Sequence, residues 1–270
     1  MKIYTSILYC ILLLSFFSCE QIVDIDLKST EPKLVIDASI TEEHPCVVLL
    51  SKSQPFYNNT PSQGISGAVI ELRDDEGNSE VLKESWKTPG VYMSEMLGRV
   101  NKKYSLKVMV EDGIYEASAT IPALIDIEET YIYEIKAGSK SWYSPSFVFQ
   151  DPPEIENFYY TILSVNDRVL KSIYLDDDEH RDGLRIHNIL FFNKEDNFDN
   201  DLQTGDKIDI EFQMLDKGMY TFYKSLFSAA ADGGTNPLTN FSGNVLGCFK
   251  AYNSSYATYY VSTDIIYKGN

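Results

Sequence analysis

The sequence predicts an all-β protein, an N-terminal immunoglobulin-like β-sandwich followed by a second, larger β domain that carries one amphipathic helix. Three observations predict it. Short segments of alternating apolar and polar residues recur along the chain, separated by turn residues, which is the pattern of half-buried strands. Aromatic residues make up 13% of the chain, with 19 Tyr and 14 Phe, types that fit a pleated surface. One stretch, near 217–231, departs from period two and places its large residues at helical spacing.

The first domain is read over 33–122, opened by Pro32. Strands are expected at 34–40, 47–51, 68–73, 80–83, 90–93, 104–110 and 115–121, a density that argues for a sandwich. The segment Asp74-Asp75-Glu76-Gly77-Asn78 has turn chemistry, and Glu111-Asp112-Gly113 signals a hairpin between two alternating runs. Ile121-Pro122 ends the last strand, so the second domain is read over 123–270. Its expected strands lie at 129–135, 146–150, 157–165, 186–192 and 207–215. Tyr220, Tyr223, Leu226 and Phe227 then recur at spacings of three and four, and Ala229-Ala230-Ala231 favours helix. Asp232-Gly233-Gly234 stops that helix, Asn236-Pro237 turns the chain, and strands at 245–252 and 258–266 close the domain.

Ahead of these domains stands a different kind of sequence. Lys2, an apolar run over 7–17 broken only by Ser15, and Ser18-Cys19 follow the order of a secretory signal over 1–18. The apolar run is too short to span a bilayer. Leu14-Ser15-Phe16-Phe17-Ser18-Cys19 resembles a lipobox, although Phe16 and Phe17 differ from the stricter consensus. The resemblance implies lipidation at Cys19, which would become the first mature residue, with 19–32 as a tether. The expected location is the outer membrane, lipid-anchored, with the periplasmic face and the cell surface both open.

Composition narrows the partners. Loss of Lys2 with the leader takes the cations from 23 to 22 against 40 acids, a formal charge of −18. Such a surface repels nucleic acid and anionic headgroups. Strong acidity combined with many aromatics also excludes the disordered class. Once Cys10 and Cys19 are set aside, Cys46 and Cys248 remain, with no CxxC pair, and are read as two separately buried thiols.

Several passages together resemble a family of Bacteroidota lipoproteins that carry a domain of unknown function with an immunoglobulin- or transthyretin-like N-terminal half. They are Cys19-Glu20 with Ile25-Asp26-Leu27, Lys33-Leu34-Val35-Ile36, Gly67-Ala68-Val69-Ile70-Glu71-Leu72 and Pro89-Gly90-Val91-Tyr92. Downstream they are Asp151-Pro152-Pro153-Glu154, Asn157-Phe158-Tyr159-Tyr160, the segment 220–226, and Asn244-Val245-Leu246-Gly247-Cys248-Phe249. Family members more often have Tyr or Val where Cys248 stands. The resemblance implies an envelope lipoprotein, often encoded beside outer-membrane TonB-dependent transporters, and carries over no catalytic residue.

Candidate chemistry is sparse. Asp176, Asp177, Asp178 and Asp182 belong to the densest acidic run and offer the hard oxygen ligands that Ca²⁺ prefers, but without EF-hand spacing. The plainer reading is a solvated loop. Asp196, Asp199, Asn200 and Asp201 form a second acidic loop, and a shared cation site follows only if the two converge. His180 and His187 are seven apart, which on a strand directs them to opposite faces and argues against zinc. No GxSxG, HExxH, P-loop or dinucleotide fingerprint is present. Trp142 and Tyr143, with Trp86 elsewhere, are aromatics placed to stack on a sugar or anchor a partner, against the plainer reading that they cap a sheet edge. The sequence therefore points to a noncatalytic accessory or binding subunit of a TonB-dependent transport system. The alternatives are a surface glycan-binding or adhesin-like protein and, behind both, a hydrolase of envelope polymers.

Overall fold

Strand β1 (Leu34–Thr41) turns Ile36, Ala38 and Ile40 inward and leaves Asp37 exposed, the alternation that a sheet with one buried face requires. The computed structural model describes residues 31–54, 62–111, 113–232 and 235–268. Cys19, the leader and most of the tether therefore lie outside the described residues.

The strands that follow are β2 (Pro45–Lys52), β3 (Val69–Asp74), β4 (Ser79–Val81), β5 (Lys83–Glu84), β6 (Val91–Leu97), β7 (Lys103–Val110) and β8 (Gly113–Thr120). Next come β9 (Glu129–Ala137), β10 (Lys140–Gln150), β11 (Phe158–Val165), β12 (Arg168–Val169), β13 (Tyr174–Asp177), β14 (Arg185–Ile189) and β15 (Lys207–Leu215). Helix α1 (Lys217–Asp232), β16 (Leu246–Tyr260) and β17 (Ile266–Lys268) complete the order. The protein is thus mostly β with one α-helix among the described residues, as the sequence predicts.

One large sheet runs β12-β11-β15-β16-β1-β2-β6-β5, with β13 also paired to β11. Two four-stranded sheets, β4-β3-β7-β8 and β14-β10-β9-β17, pack on it. In the first core, Ile36, Ile40, Val48 and Leu50 of the large sheet meet Ile70, Leu72, Leu106 and Val108. In the second, Phe212 and Tyr159 meet Phe147 and Phe149, with ring centroids 4.6–5.0 Å apart. Such pairs add roughly 0.5–1.5 kcal/mol each beyond area burial. Residues Ser144 to Phe149 of β10, a strand held between β9 and β14, are all buried.

The boundary read at 122/123 falls between β8 and β9. The structure adds a feature that the sequence does not display: Phe241, Val245, Phe249 and Ala251 fill the first core. The cause is β16. Its first half pairs in parallel with β1, from Val35 opposite Leu246 to Thr41 opposite Tyr252, and its second half pairs antiparallel with β15, from Leu215 opposite Tyr252 to Lys207 opposite Tyr260. The strand expected at 245–252 and the start of the one expected at 258–266 therefore belong to a single strand of 15 residues, and the remainder of the latter is a 3-10 turn, Thr263–Ile265, leading into β17. The polar stretch that suggested a break is held instead: Asn253 Nδ2 donates to Glu42 at 3.1 Å, and Ser254 Oγ donates to Glu211 at 3.0 Å.

Local chemistry agrees elsewhere. Asp74 Oδ1 accepts from the Glu76 and Asn78 amides at 3.0 and 2.8 Å, closing the β3–β4 turn. Val110 faces Gly113 across the β7–β8 hairpin. The strand expected at 80–83 divides around buried Leu82, so that β4 and β5 join different sheets. Cys46 and Cys248 are both free and buried, and burial pushes both thiols up to about 12.

Helix α1 lies against the large sheet, where Tyr220 stacks on Phe158 at 4.5 Å and Tyr223 packs on Tyr160 at 5.1 Å. It covers the outer face of the end of β15, which explains why Gln213, Met214 and Leu215 are buried in succession.

Candidate functional site

Trp142 sits near the exposed start of β10, opposite Ile135 of β9, and keeps 45% of its surface exposed, whereas Tyr143 is half-buried against the second core. The chain leaving β14 is pinned beside it. The Leu190 amide donates to the Pro145 carbonyl at 2.9 Å, and the Phe192 amide donates to Ser144 Oγ at 3.2 Å. Asn193 then caps a short 3-10 turn, Lys194–Asn197, by accepting from the Glu195 amide at 3.1 Å. Between this segment and β10 opens a cleft of about 390 Å³ lined by Trp142, Asn193, Lys194, Asp201 and Gln203, among others.

A second cleft of about 420 Å³ adjoins it, sharing Asp201 and Gln203 and lined also by Phe198, Arg168 and Asn200. Phe198 and Asp199 hold left-handed backbone, with φ of 55° and 61°, a conformation uncommon for residues other than glycine. Cross-bracing sustains it: Asn197 Nδ2 donates to the Asn200 carbonyl at 3.1 Å, and Asn200 Nδ2 donates to the Phe198 carbonyl at 3.0 Å. The Arg168 guanidinium lies 3.8 Å from the Phe198 ring centroid, and its Nη2 donates to Asn197 Oδ1 at 3.3 Å. Phe198 nevertheless remains 75% exposed.

The acidic run folds differently from a solvated loop. Asp176 and Asp177 end strand β13: Asp176 pairs with Arg181 at 2.5 Å, and Asp177 accepts from the Tyr220 hydroxyl at 2.7 Å. Asp178 is buried, and with Asp182 it meets Asp151, which the sequence reading named in a family-like passage and not as a ligand. One oxygen of each lies within 4.8 Å of the others, and these three could hold a cation. Each carboxylate already accepts a backbone donor. Asp151 takes the Gly183 amide at 2.8 Å, as well as the Tyr159 hydroxyl, Asp178 takes the Asn157 amide at 2.9 Å, and Asp182 takes the Glu154 amide at 2.8 Å. The cluster ties the segment after β10 to the segment after β13. Burial, then the nearby Asp151 charge, raises the Asp178 carboxyl above the usual range. No carboxylate of the 196–201 loop belongs to this cluster, so the two acidic loops do not form one site. The spacing between Asp151 and Asp178 carried no signal, because the pairings of β10 with β14 and of β11 with β13 are what bring their loops together.

Other residues fall apart from the site. Trp86 is 88% exposed beside Lys87. His187, on β14, contacts the Tyr131 hydroxyl at 3.2 Å, and His180 lies in the turn after β13. A larger cleft of about 790 Å³ over β3, β7 and β8 is lined by charges that satisfy one another, Arg73 with Glu71 at 2.7 Å and Lys107 with Glu116 at 3.4 Å.

Fold and site together define an all-β protein with two adjoining clefts whose linings mix aromatic and polar side chains. The chain belongs to the DUF4249 family, described as a domain of unknown function, whose model matches residues 20–257. No curated protein matches it. Among solved structures, a DUF4785 family protein from Legionella pneumophila is similar at 10% identity and a TM-score of 0.28, over 68% of this chain and 52% of that one. The chain thus spans about half the length of that relative.

Proposed function

We propose that the protein is a lipid-anchored envelope protein that binds rather than catalyses, acting as an accessory subunit of an outer-membrane TonB-dependent transporter. The observation that carries the binding role is the pair of clefts between Trp142 and Phe198, in which exposed rings stand beside polar side chains with spare hydrogen-bonding capacity. The lipobox-like sequence ending at Cys19 supports the anchor, and the acidic composition supports a protein partner over nucleic acid. The resemblance to Bacteroidota lipoproteins supports the transporter as that partner. Among the described residues, no helix is long and apolar enough to cross a membrane, so attachment in this reading rests on lipid.

Chemical crosslinking in whole cells, combined with fatty-acid labelling, tests it. Label on the wild type and none on Cys19→Ala, with a crosslinked product containing a β-barrel, is the expected result. An unlabelled protein crosslinked to no envelope component would overturn it. A second reading, a surface glycan-binding protein, is favoured by the position of Trp142 on the cleft rim.

A further inference from the structure

We infer that the joined clefts between Trp142 and Phe198 form a carbohydrate-binding site that takes a short oligosaccharide across the 193–203 segment. The inference deepens the binding role and rests on that reading.

Four features carry it. First, aromatic and polar groups share the lining: Trp142 and Tyr143 line one cleft, Phe198 the other, and Asp201 and Gln203 border both. A sugar chain alternates flat C–H faces, which lie on rings, with hydroxyls that both donate and accept, and it fits such a mixed lining.

Second, the lining supplies both kinds of hydrogen-bond partner. Asn193 uses its Oδ1 in the turn, and its amide nitrogen has no partner among the described residues. Lys194 is exposed and makes no ion pair among the described residues, and Asp201 presents an exposed carboxylate. Gln203 Nε2 donates to the Asp201 carbonyl at 3.0 Å, which orients its side chain and leaves Oε1 to accept.

Third, the second platform is built in advance. Phe198 is held by left-handed backbone, the asparagine braces and the Arg168 guanidinium at 3.8 Å, while three-quarters of its surface stays in water. An exposed aromatic maintained in a sparsely populated backbone region costs stability that the local fold does not recover by burying the ring. A ligand that stacks there meets a ring whose ordering cost has already been met. Fourth, volumes of about 390 and 420 Å³ each fall within the range of small-molecule sites, and their shared border makes a chain of two or more sugar units the fitting length.

The test uses purified full-length protein in mild detergent, applied to an array of neutral and acidic oligosaccharides. Hits are then titrated by calorimetry and by fluorescence. The chain has two Trp, so a Trp86→Phe background assigns the emission to Trp142. The expected result is binding of at least one oligosaccharide with a shift of Trp142 emission. Trp142→Ala and Phe198→Ala should each weaken it by about tenfold, the scale of one lost aromatic contact at the upper end of its range. Phe198 is 75% exposed and Trp142 45%, so the melting profile is recorded for each variant and binding is compared at a temperature where each is folded. Phe198→Leu, which keeps an apolar side chain without a flat face, should weaken binding nearly as much as Phe198→Ala.

Failure of every oligosaccharide to bind would overturn the inference, as would binding that neither variant changes. A Trp142→Ala protein that loses a crosslinked barrel while the wild type binds no sugar would reassign the cleft to protein contact. Sugar binding is read on the purified protein and transporter association in cells, so either can fail alone.

Discussion

Asp216 caps the start of helix α1, accepting from the Met219 amide at 2.8 Å, and burial pushes its carboxyl up to about 6. Its folded value is above the unfolded one, so the folded state keeps the proton longer, and stability falls as pH rises through roughly 4 to 6. Asp216→Asn keeps the capping oxygen and removes the titration. Urea denaturation should show the variant equal to wild type near pH 4 and more stable by on the order of 2–3 kcal/mol at pH 7. A gap that stays constant with pH would contradict the assignment. Replacing Asp151 acts in the other direction, by removing a hydrogen-bond acceptor. Asp151→Ala strands the Tyr159 hydroxyl and the Gly183 amide in a buried site, and an unfolding free energy lower by roughly 2–5 kcal/mol is expected. Loss under about 1 kcal/mol would show that water replaces the carboxylate. Residue types were legible in the sequence at this scale, and their partners were not. Asp176 to Asp178 read as one acidic run, yet the strand end of β13 sends Asp176 to Arg181, Asp177 to Tyr220 and Asp178 to Asp151.

Among the elements, helix α1 was visible beforehand because Tyr220, Tyr223 and Phe227 share one face, and those rings make the contacts. Most strands of the first sandwich were visible for the same kind of reason, since their inward positions are apolar at period two. Strand β16 was not, because Asn253, Ser254 and Ser255 look like a loop until Glu42, just past β1, bonds Asn253 and Glu211 of β15 bonds Ser254. Its start depends on Gly247, whose φ is 97° and whose added Cβ would lie 2.1 Å from the Ile36 carbonyl oxygen. Gly247→Ala should therefore prise β16 from β1. The expected outcome is a melting temperature lower by several degrees, or failure to fold, with increased amide exchange in 34–41 and 246–252. Unchanged exchange in those segments would contradict the close approach.

Across the whole molecule, β16 takes part in both cores, and residues 32–270 form one compact unit. A sequence boundary at 122/123 describes where the chain passes from one core to the next, while the continuous large sheet couples them. Calorimetry should accordingly show one cooperative transition, and two resolved transitions would mean that the sandwiches unfold independently. The clefts between Trp142 and Phe198 were half legible. Trp142 drew attention as an aromatic in a polar segment, whereas Phe198 gained its role only from the turn that lifts it into solvent. A protein tethered at Cys19 as an accessory subunit should be found with its transport partner when membranes are opened gently, whatever its clefts hold. The most direct measurement is a mild-detergent pull-down from native membranes with mass spectrometry, comparing the full-length lipidated protein with Cys19→Ala. Recovery of a TonB-dependent barrel with the lipidated form alone is the predicted result, and recovery of no barrel with either form would contradict the accessory-subunit account.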